Sequence, residues 1–468
     1  MKTENLPLKS DAHFSSMNTT LIILSASALI LFLNLYVGQL TNPFISHDDF
    51  DWLISPSFGQ GFETPWSKAS TEGRWLNYPW SLLTMGLSIK GAVYLFVSLS
   101  IASSLAISQI YAKRVALLAA LVFYVSPASA SLSTWPVTQS SSIIILILFS
   151  LAIYYIKSAL TRNLVVFASV VSCLLTYPAY APLIFVIYLS FKKLSSIDFI
   201  KTISLYIFSY AAGIVIIFSL NYVFHKNFGI TVSGWRHPTP LFPNGDFLFN
   251  LHRYAQFWVD LLPLWPLAIV SALSYALCLL SKTKPRECIN ILFGSVLIVG
   301  MEASSSIIAG LDLPSRTSLW VWAALVAPIL FLAYNNRMRT VGMVFALVPL
   351  FMGVTAWINH YSHYSRLFPY AEFIGQTISI AASENQGKYD GIILFGDLKK
   401  NRETEWFHSN RHLRNFLYKQ FELETRSCAP EECDAIEDNL SSLKIIPPVL
   451  IIDKKLIFVI NPERGETY

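Results

Sequence analysis

The sequence predicts a polytopic α-helical membrane protein of about 11 spans, with a large first outer loop and a small C-terminal α/β domain outside the membrane. Three observations predict it. The 468 residues are 54% apolar and 14% aromatic, and only 13% are charged, roughly half the share of a globular protein. Mean hydropathy is +0.49. The apolar residues also fall in runs close to the roughly 20 residues a helix needs to cross the hydrocarbon. A water-soluble chain of this size is wrapped in charge. These values therefore exclude a disordered protein, a disulfide-stapled secreted domain and a soluble enzyme. The net charge of +5 is modest and implies no nucleic-acid partner.

The first run, Leu21 to Leu40, carries no charged residue and follows a polar leader with Lys2 and Lys9. It is too long for a signal peptide, and no small-residue cleavage site follows it. Later runs fall at 91–110, 115–132, 141–156, 164–177, 179–191, 202–222, 262–280, 290–309, 318–334 and 340–358. The stretch 164–191 is too long for one untilted span. It is interrupted by Thr176-Tyr177-Pro178-Ala179-Tyr180-Ala181-Pro182, and two prolines four apart break or kink a helix. Two short helices meeting near the far side of the membrane are expected there.

The distribution of Lys and Arg tests this count, because cytoplasmic loops carry the excess. With the N-terminus in the cytoplasm, the inside segments 1–18, 111–114, 157–163, 192–201, 281–289 and 335–340 hold 14 Lys or Arg in 54 residues. The outside loops 39–90, 133–139, 178–180, 223–261 and 310–317 hold 7 in 109. Treating 164–191 as a single span would put the basic clusters 282–286 and 337–339 outside. An eleventh span sends residues 359–468 outside. This tail has 13 Lys or Arg and 16 Asp or Glu. Strand-like runs at Gly391–Phe395, Val449–Ile452 and Leu456–Ile460 are bounded by Gly, Asp and Pro, and Phe373–Ser383 reads as helix. Together they predict a small α/β domain over 359–468, following a membrane domain over 1–358.

Cys173, Cys278 and Cys288 lie in or beside spans, whereas Cys428 and Cys433 lie in the tail. An oxidising compartment favours a Cys428–Cys433 disulfide, against two free thiols in a surface loop. No histidines at ligand spacing accompany the pair, so it is a poor metal signal.

The first outer loop is dense in carboxylates and aromatics. It holds Ser46-His47-Asp48-Asp49-Phe50-Asp51-Trp52, then Glu63, then Glu72-Gly73-Arg74-Trp75-Leu76-Asn77-Tyr78-Pro79-Trp80. Three carboxylates in four positions repel one another and raise at least one pKa when partly buried. That suits a general base or a cradle for a divalent cation, against a solvated acidic turn. Trp52, Trp66, Trp75 and Trp80 suit sugar stacking or an interfacial aromatic belt. Basic residues on the outside are few. Lys68, Lys90, Lys226, Arg253 and Arg366 are among them, and Arg74, Arg236 and Arg316 stand out as phosphate clamps because Pro, Gly or aromatic neighbours flank them. Glu302 lies in the middle of a span, where a carboxylate is costly and faces a polar cavity or makes a helix-packing hydrogen bond among Ser304, Ser305 and Ser306. His237, His360 and His363 do not have metal-ligand spacing. No G-x-x-x-x-G-K-[ST] phosphate loop is present.

A span, an Asp-Asp pair just beyond it and the Glu72-Gly73-Arg74-Trp75 motif resemble the Gtr-type serotype-converting O-antigen glucosyltransferases, which are GT-C membrane glycosyltransferases. The resemblance extends to Thr176-Tyr177-Pro178-Ala179-Tyr180, the order of spans and the C-terminal outer domain, and runs to about residue 358. The family more often has Asp where this chain has Glu72. The resemblance implies a GT-C-like fold and inverting transfer of a hexose, glucose foremost. The donor would be undecaprenyl phosphate carrying the sugar, and the acceptor a lipid-linked O-antigen repeat. The reaction would take place on the periplasmic face of the bacterial inner membrane, with membrane lipids, a flippase and a donor synthase as partners. It places the catalytic base at Asp48 and Asp49. Glu72, Arg74, Trp75, Tyr177, Arg236, Glu302 and Arg316 become candidate substrate-binding residues. No cofactor is required, and a divalent cation stays open. Competing readings are a polyprenyl-phosphate sugar transferase acting on lipid A or protein, and a transporter or flippase for lipid-linked sugars. A transporter should show paired broken helices in its two halves, and only 164–191 is broken.

Overall fold

The structure is a computed structural model that describes residues 12–54, 64–111, 115–191, 193–230, 238–242, 245–364, 367–396, 410–443 and 447–460. Its helices are α1 (Ala12–Tyr36), α2 (His47–Leu53), α3 (Pro65–Glu72), α4 (Asn77–Thr84), α5 (Ile89–Ser108), α6 (Ala116–Tyr124), α7 (Pro127–Leu132), α8 (Pro136–Tyr155), α9 (Ala159–Leu174), α10 (Tyr180–Phe191), α11 (Ser196–His225) and α12 (Phe247–Asp260). They continue with α13 (Trp265–Leu280), α14 (Pro285–Ala309), α15 (Leu319–Tyr334), α16 (Arg339–Tyr364) and α17 (Leu367–Glu384). The remainder alternates as β1 (Gly391–Phe395), α18 (Asn410–Phe421), β2 (Thr425–Ser427), α19 (Pro430–Ser441), β3 (Val449–Ile452) and β4 (Lys455–Val459).

The fold is mostly helical, and α1, α5, α8, α11, α13, α14 and α16 hold segments long and apolar enough to cross a membrane. Helices α9, α10 and α15 are apolar but shorter. Large apolar side chains such as Phe208, Phe293, Leu347 and Phe351 stay exposed along the long helices, as expected of surfaces that meet lipid. By contrast α10 is buried nearly all round. It packs on α9, α14 and α15, which is the burial of a central helix in a bundle. The predicted break falls between α9 and α10. There Thr176 turns its hydroxyl back to the carbonyls of Ser172 and Cys173 and accepts a hydrogen bond from Ser142.

One expected span differs. Residues 115–132 do not form a single helix but split into α6 and α7, of 9 and 6 residues. The reason is a start signal inside the apolar run. Ser126 accepts a hydrogen bond from the Ser129 N–H, and Pro127 occupies the first helical position, where its missing N–H costs nothing.

The tail combines strands and helices, with three elements beyond those expected. Its sheet has the order β2-β1-β4-β3. Strand β1 runs parallel to β2 and β4, while β3 and β4 form an antiparallel hairpin. Asp453 and Lys454 at the hairpin tip both have positive φ, which matches the right-handed twist of the strands. The three predicted strands are present and the predicted helix lies within α17, while β2, α18 and α19 are elements not anticipated. Helix α17 packs on α18 through Phe368 and Phe416.

Candidate active site

Segments from the predicted outer loops converge at one end of the bundle. The Ser46 N–H donates to the Thr134 carbonyl and the Leu76 N–H to the Leu175 carbonyl. Asn221 of α11 donates to the Ser70 carbonyl at 3.0 Å and accepts the Trp75 indole N–H at 2.7 Å. These bonds fix α2, α3 and α4 against α8, α9 and α11.

Asp48 and Asp49 lie on α2. The Asp48 side chain is outside the described parts. Asp49 is fully buried, and its carboxylate closes the N-terminus of α8. Oδ2 accepts the Val137 N–H at 2.7 Å, and Oδ1 accepts the Thr138 N–H at 2.8 Å and the Thr138 hydroxyl at 2.6 Å. Helix α8 has no capping side chain of its own, so Asp49 supplies one from another element, and its charge meets the positive end of the helix dipole. Burial pushes the Asp49 carboxyl up from 3.8 to about 6, against the pull of Thr138 and Val137.

Asp51 turns the other way. Its Oδ2 lies 2.8 Å from the Lys68 ammonium, with both side chains almost fully buried. Lys68 also faces Glu72 Oε1 at 3.6 Å, one turn along α3. Glu72 Oε2 in turn meets Arg74 Nη1 at 2.9 Å, and the Arg74 guanidinium lies over the Tyr177 ring, 4.9 Å from its centroid. Four charges of alternating sign thus form a row from α2 to the break between α9 and α10. Helix α3 begins with Thr64 accepting the Ser67 N–H and with Pro65 in its first turn. It ends at Gly73, whose φ of 71° is left-handed and favours glycine. That turn is what brings Arg74 back beside Glu72.

The candidate residues divide accordingly. Glu72, Arg74 and Tyr177 meet. Trp75 packs beside them, buried among Trp66, Phe224 and His225, with its N–H spent on Asn221. Trp52 is fully buried, so its ring is core rather than a sugar platform. Arg316 lies apart, 4.6 Å over the Trp135 ring. It lines a cavity of about 360 Å³ with Asp260, Asn359, Leu264, Phe351 and Met352. Trp135 directly precedes α8, so Arg316 and Asp49 bear on the same helix start. Glu302 is elsewhere: Oε1 accepts the Trp320 indole N–H at 2.9 Å, a bond from α15 rather than one to its own serines. Arg236 and His237 lie outside the described residues, as do Glu63, Arg366 and the His363 side chain. Arg253 is pinned to Asp312 at 2.7 Å.

Among the described residues no three His, Cys, Asp or Glu gather as metal ligands. The Asp49 and Asp51 oxygens point at N–H, O–H and ammonium donors instead, a set that does not fit a cation cradle. Cys428 and Cys433 are joined in a disulfide, with Cα atoms 5.3 Å apart. Lys68 and Asn221 are central to the site, yet the sequence names Lys68 only among the few outer basic residues and does not name Asn221. The i,i+4 spacing of Lys68 and Glu72 was the available signal. No protein-family model, curated protein or solved structure matches the chain.

Proposed function

We propose that the protein is an inverting membrane glycosyltransferase that moves a hexose, glucose foremost, from a polyprenyl phosphate to a lipid-linked O-antigen or lipopolysaccharide repeat. The observation that carries this is the charged row beside an acidic helix at one end of an apolar bundle. Inverting transfer needs a carboxylate to take the acceptor hydroxyl proton, and cations to meet the growing charge on the leaving phosphate. Asp48 is the base in this scheme, since Asp49 is occupied in closing α8. Arg74 is the phosphate clamp: Glu72 holds one edge of its guanidinium, Tyr177 holds its face, and a guanidinium has five N–H donors in all. Arg316 lines a separate cavity with both apolar and polar walls, and is the candidate cation for the lipid carrier there.

The side assignment belongs to the same proposal. The bundle crosses eleven times, with α6 and α7 as one interrupted passage, in the inner membrane of a bacterium. The N-terminus is cytoplasmic and the tail domain periplasmic. Support comes from the bonds above, which join outer-loop segments to one another.

The test is transfer in proteoliposomes. Radiolabelled undecaprenyl-phosphate glucose should label an O-antigen acceptor, and UDP-glucose should not. Transfer from UDP-glucose alone, or none from the lipid donor, removes the proposal.

A further inference from the structure

The C-terminal domain does more than sit on the bundle. Helix α18 reaches the two ends of α2. His412 is buried, its ring lies 5.6 Å from the rings of Phe44 and Phe50, and its Nε2 is 3.0 Å from the Ile45 carbonyl oxygen. A carbonyl only accepts, so Nε2 is the donor. Two turns on, the half-buried Lys419 donates to the Leu53 carbonyl at 3.1 Å and to the Met85 carbonyl at 2.6 Å.

The geometry lets two residues of α18 reach both ends of α2. His412 and Lys419 are seven apart, so they project from one face of α18, about 10 Å apart along its axis. Helix α2 has 7 residues, also about 10 Å. Pairing Ile45 with His412 and Leu53 with Lys419 lays the two helices side by side in the same direction. Leu53 closes α2 and Met85 is the C-cap of α4. Lys419 therefore places one cation at the negative ends of two helices, on carbonyls that have no partner within their own helix. A helix of two turns is too short to hold its own shape in water, and this one carries the carboxylates.

We infer that α18 is a splint for the acidic helix, with Lys419 and His412 as positioning residues that set where Asp48 stands relative to the acceptor hydroxyl. The role rests on the transferase reading above. It acts through α2, so it changes turnover and leaves donor binding alone. A displacement of about 1 Å at a reacting group costs up to about 10²-fold in rate.

The experiment uses the full-length protein in lipid and two readouts, steady-state transfer and hydrogen exchange of the α2 amides. Lys419→Met keeps the apolar stem and removes both hydrogen bonds. It should speed α2 exchange and lower kcat at least about tenfold, with donor KM unchanged; Lys419→Arg should restore most of the rate. His412→Phe should act in the same direction. Glu432→Gln, which breaks the Arg426 pair joining β2 to α19 without touching α2, should change neither readout; a loss of rate there would mean that any damage to the domain lowers turnover. Unchanged α2 exchange in Lys419→Met, or faster exchange with unchanged kcat, overturns the splint. Wild-type protein that transfers no sugar removes the transferase reading instead, and exchange then decides the contact by itself.

Discussion

Asp49 accepts both the backbone N–H and the hydroxyl of Thr138, at 2.8 and 2.6 Å, and so ties the acidic helix to the first turn of α8. This separates two neighbouring carboxylates by task. Asp48→Asn should keep the fold and lose about 10²- to 10⁴-fold in rate, the usual cost of removing a general base. Asp49→Asn turns an amide N–H2 toward a backbone N–H, so it should lower the thermal midpoint and the yield of folded protein. Midpoints in detergent beside rates at matched protein levels check this. The prediction fails if Asp48→Asn transfers sugar at the wild-type rate.

Protonation of Asp49 gives that assignment a pH signature. The carboxyl is pushed up to about 6 in the fold from 3.8. A raised carboxyl pKa means that the folded chain holds the proton more tightly than the unfolded one. The share of stability that depends on the Asp49 proton is then complete below pH 3.8 and gone above about pH 6. On acidification from about pH 7.5 to about pH 5, the wild-type midpoint should rise relative to that of Asp49→Asn. A constant gap between the two curves would contradict the assignment.

The tail carries a compartment signature. Cys428 and Cys433 are bonded, and such bonds persist on the oxidising side of a membrane. Thiol mass tags applied to intact cells should label neither cysteine before reduction and both afterwards. A C-terminal alkaline phosphatase fusion should be active. An inactive fusion, together with equal labelling in both conditions, would put the tail in the cytoplasm.

What the sequence reveals and what it hides follow from the range of the forces involved. Hydropathy adds up along a helix, so α1, α5, α8, α11, α13, α14 and α16 are legible as runs, and Pro178 and Pro182 announce the break after α9. Strands β1, β3 and β4 are legible because each is an apolar run closed by turn residues. Strand β2, Thr425-Arg426-Ser427, is short and polar and exists only because β1 offers it an edge. Glu72, Arg74 and Tyr177 stand out as residue types, but their meeting depends on the left-handed turn at Gly73 and on packing against a loop 100 residues away. Asp49 reads as a base because its true neighbours, Val137 and Thr138, lie 88 and 89 residues on. The α18 contacts span more than 330 residues and leave no local trace.

Lys68 is the residue for which burial decides the outcome. Its side chain, in the eight-residue α3, is 1% exposed and faces Asp51 at 2.8 Å and Glu72 at 3.6 Å. Removing one partner of a buried ion pair leaves the other charge in a poor solvent, at about 3–5 kcal/mol. Lys68→Met removes the cation that two carboxylates face, so it should be the most destabilising single change in the row. Asp51→Asn should cost less, because Lys68 keeps Glu72. In Asp51→Asn with Lys68→Met the remaining carboxylate, Glu72, still has Arg74 at 2.9 Å, so the double variant should be less destabilised than the sum of the two singles. Thermal midpoints of the four proteins in one detergent measure that coupling. Strict additivity would mean that Asp51 and Lys68 do not hold each other, and the row from α2 to Tyr177 would lose its first link.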